Sequence, residues 1–113
     1  MLREVVSKQG RTVNPEEEPE KGYYFRSDQF SFAKKGVPAL YAKSITVEDD
    51  REYTANRYHK PSDEYNPNWD MKAAVLDGEA LFEVAQRVAN TDKWPEWKPG
   101  TEFRAIREQM LKR

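Results

Sequence analysis

Apolar residues recur at helical spacing in three stretches of the chain. The longest is 71–89, where Met71, Ala74, Val75, Gly78, Leu81, Phe82, Ala85, Val88 and Ala89 fall three or four apart on one stripe. That spacing predicts an amphipathic helix with the stripe turned to a core. Asn66 or Asn68 stands ahead of it as a cap. Gly78 lies on the stripe at a cost of about 1 kcal/mol of helix propensity against Ala. The exception predicts close approach of another backbone. At 101–111, Phe103, Ile106, Met110 and Leu111 predict a final helix facing inward, capped by Thr101. At 2–9, Leu2, Val5 and Val6 share one face, and Gly10 suits the position just past a helix end.

Other segments read differently. "RSDQFSFAKKG" (26–36) predicts a short helix, with Ser27 or Asp28 as cap and Gly36 as stop. "VPALYA" (37–42) is a short apolar run. It predicts a strand buried on both faces of a parallel sheet, with Pro38 near its start. Residues 44–47 extend that strand on this reading, and 48–57 read as loop. "NPEEEPEKG" (14–22) is a polar loop broken by Pro15 and Pro19, and "DKWPEWKPG" (92–100) a rigid aromatic one. The tally is one strand and three to four helices. One strand does not make a sheet, so the expected class is α/β with further strands hidden in the loops or missing from the chain.

Composition sharpens this. The 113 residues suffice for one domain. Only 37% are hydrophobic, against about 45–50% in ordinary globular domains. Mean hydropathy is -1.03. Yet 3 Trp, 6 Tyr and 5 Phe do not suit a disordered chain. Ordered but poor in core suggests surfaces meant to be covered. A net charge of -1 gives no electrostatic reason to expect nucleic acid or an acidic membrane surface. No apolar run is long enough to span a bilayer. "MLREVVSKQG" is charged from its third residue and does not read as a signal peptide. With no cysteine there is no disulfide or thiolate chemistry.

Candidate chemistry centres on "YHKPSDEY" (58–65), which holds the sole histidine, His59. A histidine in a polar segment is most simply a solvated side chain. Zinc takes three or four protein ligands, and Asp63 and Glu64 lie too near in sequence to complete a set. From spacing alone His59 is a weak metal ligand. The other candidates have plain readings too. Asp28 is a cap, Arg26 a surface charge and Tyr58 a packed aromatic. Trp94 and Trp97 cover the edge of a core, and the run Glu16, Glu17, Glu18 is solvated. No phosphate-binding glycine loop and no HExxH occurs.

Two motifs change that balance: "RSDQFSFAKKGVPAL" and "YHKPSDE" followed by the long helix. In this order and spacing they resemble the C-terminal part of a di-zinc exopeptidase, in the family of the co-catalytic zinc aminopeptidases and glutamate carboxypeptidase. The resemblance covers about 2–107. It implies that 1–113 is the C-terminal segment of one zinc peptidase domain, a three-layer α/β/α fold with few strands here.

What the resemblance implies for the site is specific. His59 matches the last zinc ligand. Tyr58 matches a tyrosine that in several members stabilises the oxyanion. Arg26, Ser27 and Asp28 match a segment lining the substrate pocket. Asp63 matches an acidic position able to orient His59 by accepting its second ring N–H. In the whole enzyme two zinc ions would hydrolyse peptides from the N-terminus. The family's upstream His-x-Asp, paired glutamates and further aspartate have no counterpart here, so the segment alone is expected to be inactive and to hold no zinc. The alternative is a non-catalytic binding or regulatory module derived from the same fold. Exposed apolar surface on the long helix would favour a homodimer. Family resemblance points to a secreted, periplasmic or membrane-associated parent.

Overall fold

Two glycines stop helices in the same way. After the first helix, Gly10 takes a left-handed φ of 70°. Its amide bonds the Ser7 carbonyl at 3.0 Å, and the Arg11 amide bonds Val6 at 3.0 Å. After the second, Gly36 sits at φ 83°, with its amide on Ala33 at 2.8 Å and the Val37 amide on Phe32 at 3.2 Å. These paired bonds satisfy carbonyls that a helix end leaves orphaned, and they need a residue tolerant of positive φ. Both stops stand where the sequence places them.

The computed structural model describes residues 1–16 and 18–112, leaving aside the side chain of Val47. The middle of the expected Glu16–Glu18 run, Glu17, therefore lies outside the described residues. Five α-helices occur among them: α1 (Leu2–Lys8), α2 (Gln29–Ala33), α3 (Val47–Asn56), α4 (Lys72–Ala89) and α5 (Arg104–Leu111), with 3-10 turns at Pro19–Lys21 and Tyr23–Arg26. The described residues contain no strand. The α/β expectation is corrected to this extent: 37–42 forms no strand, and Leu40 and Tyr41 are exposed. A strand makes its hydrogen bonds to another strand, and no described segment pairs with this one in that way. What meets it is the Tyr24 side chain, whose hydroxyl donates to the Ala39 carbonyl at 3.3 Å. No described helix is long and apolar enough to cross a membrane.

The chain divides into two compact units. The first comprises Met1–Glu17 and Lys43–Gln86. Its core is Val5, Val6 and Ala80, with Leu2, Val13 and Val84 against them. Polar contacts reinforce the seam between α1 and α4. The Gln9 side-chain amide donates to the Leu76 carbonyl at 2.9 Å, Lys8 pairs with Glu83 at 2.8 Å, and Arg11 pairs with Asp77.

Helix α4 does not bury the face its sequence advertises. Leu76, Asp77, Ala80, Glu83 and Val84 turn inward or lie half-buried, whereas Met71, Val75, Leu81, Phe82 and Val88 are exposed, Phe82 at 69%. Nothing lies within 4 Å of a β-carbon built on Gly78. The backbone approach expected there is absent among the described residues. The capping expectation shifts as well. Asn66 accepts from the Asn68 amide, and it is the Asp70 carboxylate that takes the Lys72 amide at 3.0 Å.

Residues 48–57, expected as loop, are mostly helix α3. The Thr46 hydroxyl accepts the Asp49 amide at 3.1 Å, and Glu48, Asp49 and Asp50 fill the first turn. Cap and carboxylates both favour a helix N-terminus. Lys43 pairs with the buried Asp50 at 2.5 Å.

The second unit, Glu18–Ala42 with Arg87–Arg113, gathers its aromatics around Phe103. Ring centroids of Trp97, Tyr24, Phe30 and Phe25 lie 5.0, 6.0, 6.2 and 6.4 Å from it. The Trp97 indole N–H donates to the Gly36 carbonyl at 3.0 Å. Helix α5 starts after Phe103 with no side-chain cap; Thr101 donates its hydroxyl to the Lys98 carbonyl instead. Of the four residues expected inward only Phe103 is buried, and Arg107, 6% exposed, takes the place the pattern assigned to apolar neighbours. Its guanidinium lies 5.8 Å from the Trp94 ring centroid and donates to the Pro95 carbonyl at 3.4 Å.

Candidate metal-ligand loop

The segment 57–63 folds back onto the end of α3. The Tyr53 carbonyl accepts from the amides of Arg57 at 2.8 Å and Tyr58 at 2.9 Å. The Ser62 hydroxyl donates to the Asn56 carbonyl at 2.6 Å, and the Lys60 ammonium donates to the Ala55 carbonyl. The Lys60 amide takes the Arg57 carbonyl at 2.8 Å, and the Asp63 amide takes that of Lys60 at 3.0 Å. These bonds satisfy carbonyls that a helix leaves open at its C-terminus, and the lysine charge suits the negative end of the helix dipole.

Within this loop His59 adopts φ 57°, the left-handed region, and is the non-glycine residue to do so among those described. An L side chain there is costly unless its surroundings hold it. The imidazole lies against the Tyr58 ring, with centroids 4.0 Å apart and planes at 56°. It is solvent-exposed. Its nitrogens make no hydrogen bond to any described residue, which leaves them open to a metal. Tyr58 is also exposed, and its hydroxyl makes no hydrogen bond among the described residues. A hydroxyl so placed can donate to a developing oxyanion.

Asp63 is committed elsewhere. Its carboxylate accepts the Tyr53 hydroxyl at 2.8 Å. That bond holds the Tyr53 phenol above its ordinary pKa, and burial pushes it further the same way. The Tyr53 ring also meets Tyr58 at 5.9 Å, and the Arg57 guanidinium sits 5.5 Å from its centroid. Tyr53, Tyr58, His59 and Asp63 thus form one cluster. Tyr53 is the member the sequence reading missed. Its signal was local: an aromatic one helical turn and a residue ahead of Tyr58, in a segment read as loop.

Arg26, Ser27 and Asp28 belong to the second unit. Arg26 ends a 3-10 turn and is exposed. Ser27 is extended and half-buried. Asp28 stands at the start of α2 without a side-chain capping bond. The Ser27 and Asp28 carbonyls accept the amides of Phe30 and Ser31 at 3.1 Å each.

No three His, Asp or Glu side chains cluster as a metal site among the described residues. Among the described residues, His59 is not joined by two further His, Asp or Glu side chains in such a group.

The chain matches Peptidase family M28 over residues 1–83, a span that holds Arg26 to Asp28, Tyr58, His59 and Asp63. It belongs to that family, which comprises the co-catalytic zinc aminopeptidases and glutamate carboxypeptidase. Its peptidases are typically zinc-dependent. No curated protein and no solved structure matches the chain.

Proposed function

We propose that this chain contributes His59 as one metal ligand of a di-zinc exopeptidase that removes N-terminal residues from peptides. The observation that carries the proposal is the His59 loop. Its imidazole is exposed and free of hydrogen bonds to described residues, on a backbone fastened to α3, within the span matched to the family. On this proposal other residues supply the remaining ligands and the general base, since no three His, Asp or Glu side chains cluster among the described residues.

Each residue then has a stated task. His59 offers a ring nitrogen. Tyr58 offers a hydroxyl donor to the carbonyl oxygen as it gains charge. The family resemblance also gives Arg26, Ser27 and Asp28 as substrate-pocket residues. Zinc, when bound, polarises the scissile carbonyl and lowers the pKa of a water.

The test is zinc content and hydrolysis of an aminoacyl p-nitroanilide by the peptidase carrying this segment. His59→Ala is expected to lose one zinc and at least a hundredfold in rate, and Tyr58→Phe to lower kcat while zinc is retained. Full zinc and full rate in His59→Ala would remove the assignment. Tight zinc binding by this chain alone, one ion per chain and dependent on His59, would favour the binding-module alternative.

A further inference from the structure

His59 needs support that its own contacts do not supply. It occupies a left-handed backbone conformation, and its side chain touches the Tyr58 ring alone among described aromatic partners. The nearby carboxylate suited to orient it, Asp63, is bonded to Tyr53. The segment carrying His59 is held to α3 after His59 by Lys60 on Ala55 and Ser62 on Asn56, and one residue, Tyr53, bonds it both before and after His59.

Tyr53 grips the segment on both sides of His59. Before it, the Tyr53 carbonyl takes the Tyr58 amide at 2.9 Å and the Tyr53 ring meets the Tyr58 ring at 5.9 Å, planes at 60°. After it, the Tyr53 hydroxyl donates to Asp63 at 2.8 Å. A residue on a regular helix thus closes a bridge across 58–63. A left-handed residue persists where its surroundings over-determine it.

We propose that Tyr53 is a positioning residue: its hydroxyl bond to Asp63 holds the loop so that the His59 imidazole stays against Tyr58 with its nitrogens facing outward, ready for zinc. The proposal rests on His59 being a metal ligand. Asp63 then supports His59 through Tyr53, where a direct carboxylate–imidazole bond was the expectation.

The test uses Tyr53→Phe, which keeps the ring and deletes the hydroxyl. His59 is the sole histidine, so its Hδ2 and Hε1 NMR signals are unambiguous in the full 113-residue chain. A Tyr58 ring 4.0 Å away shifts them by its ring current, and Tyr58→Leu supplies the unshifted reference. In Tyr53→Phe the His59 signals are expected to move at least halfway to that reference. Asp63→Ala should produce the same movement, and the double variant no more than either alone. Asp63→Ala also carries the test if Tyr53→Phe does not fold. His59 signals left at their wild-type positions in both variants would overturn the proposal.

A second arm separates this inference from the function beneath it. In the intact peptidase, competition with a chelator should show Tyr53→Phe weakening zinc binding by roughly tenfold to a hundredfold, the range for outer-shell support. Zinc lost in His59→Ala but held at wild-type affinity in Tyr53→Phe would overturn the positioning role and leave the ligand standing. Zinc held in His59→Ala would overturn both.

Discussion

The Tyr53 hydroxyl donates to the Asp63 carboxylate at 2.8 Å, fastening helix α3 to the loop that carries His59. The bond has a pH signature. The acceptor carboxylate raises the Tyr53 pKa, burial adds to the rise, and Arg57 opposes it. A group with a raised folded pKa stabilises the fold fully below its unfolded value, about 10 for tyrosine. That contribution is lost as pH climbs through the higher folded value. Wild type should exceed Tyr53→Phe in stability by a constant margin from neutral pH up to about pH 9, and the margin should shrink above about pH 10. Urea midpoints of the two proteins across that range measure it; a margin that widens at high pH would contradict the sign.

Gly36 cannot be replaced. Its φ of 83° strains any L residue, and a β-carbon there would stand 2.9 Å from the Arg107 backbone nitrogen and 3.1 Å from the Ile106 carbonyl carbon. Both neighbours are helix α5 backbone, which cannot swing aside as a side chain can. Left-handed geometry costs about 1–2 kcal/mol and overpacking about 1–3 kcal/mol. Gly36→Ala should destabilise the second unit by about 2–5 kcal/mol, seen as loss of near-ultraviolet signal from Trp97 at lower denaturant.

Gly78 predicts the opposite. It lies mid-helix in α4, with open space where a β-carbon would go. Gly78→Ala should raise stability by about 1 kcal/mol. A loss on thermal unfolding would restore the close backbone contact that the apolar stripe suggested.

Two apolar residues of the first unit should answer very differently to truncation. Val5 is 1% exposed and Phe82 69%. Val5→Ala removes two buried carbons, about 1.6 kcal/mol by transfer, and the cavity brings the cost to about 2 kcal/mol. Phe82→Ala, though far larger in volume, should stay within about 0.5 kcal/mol, as surface substitutions do. Chemical denaturation of both variants checks the ordering.

The family and its candidate ligand were legible in short motifs, because a ligand loop keeps its residue types and spacing together along the chain. So were the helix stops at Gly10 and Gly36, since left-handed backbone selects glycine locally. Helix α3 was half-legible: Thr46 and the carboxylates after it signal an N-terminus, but no apolar period runs through the segment to announce a helix.

The rest was decided by tertiary structure. The periodicity of α4 located a helix but not its buried side. Val5 and Val6 pack on Ala80, and Gln9 and Arg11 bond Leu76 and Asp77, so the face opposite the apolar stripe turns inward. At α5 the slot against Trp94 and Pro95 takes Arg107, whose long side chain brings both apolar stem and donors. The run at 37–42 has strand composition, yet a strand is a relation between two segments, and one sequence pattern cannot supply the second. Helix ends and ligand types are local properties, set by neighbours within a few residues. Buried faces, strand pairing and the grip of Tyr53 on Asp63 depend on residues brought together by the fold.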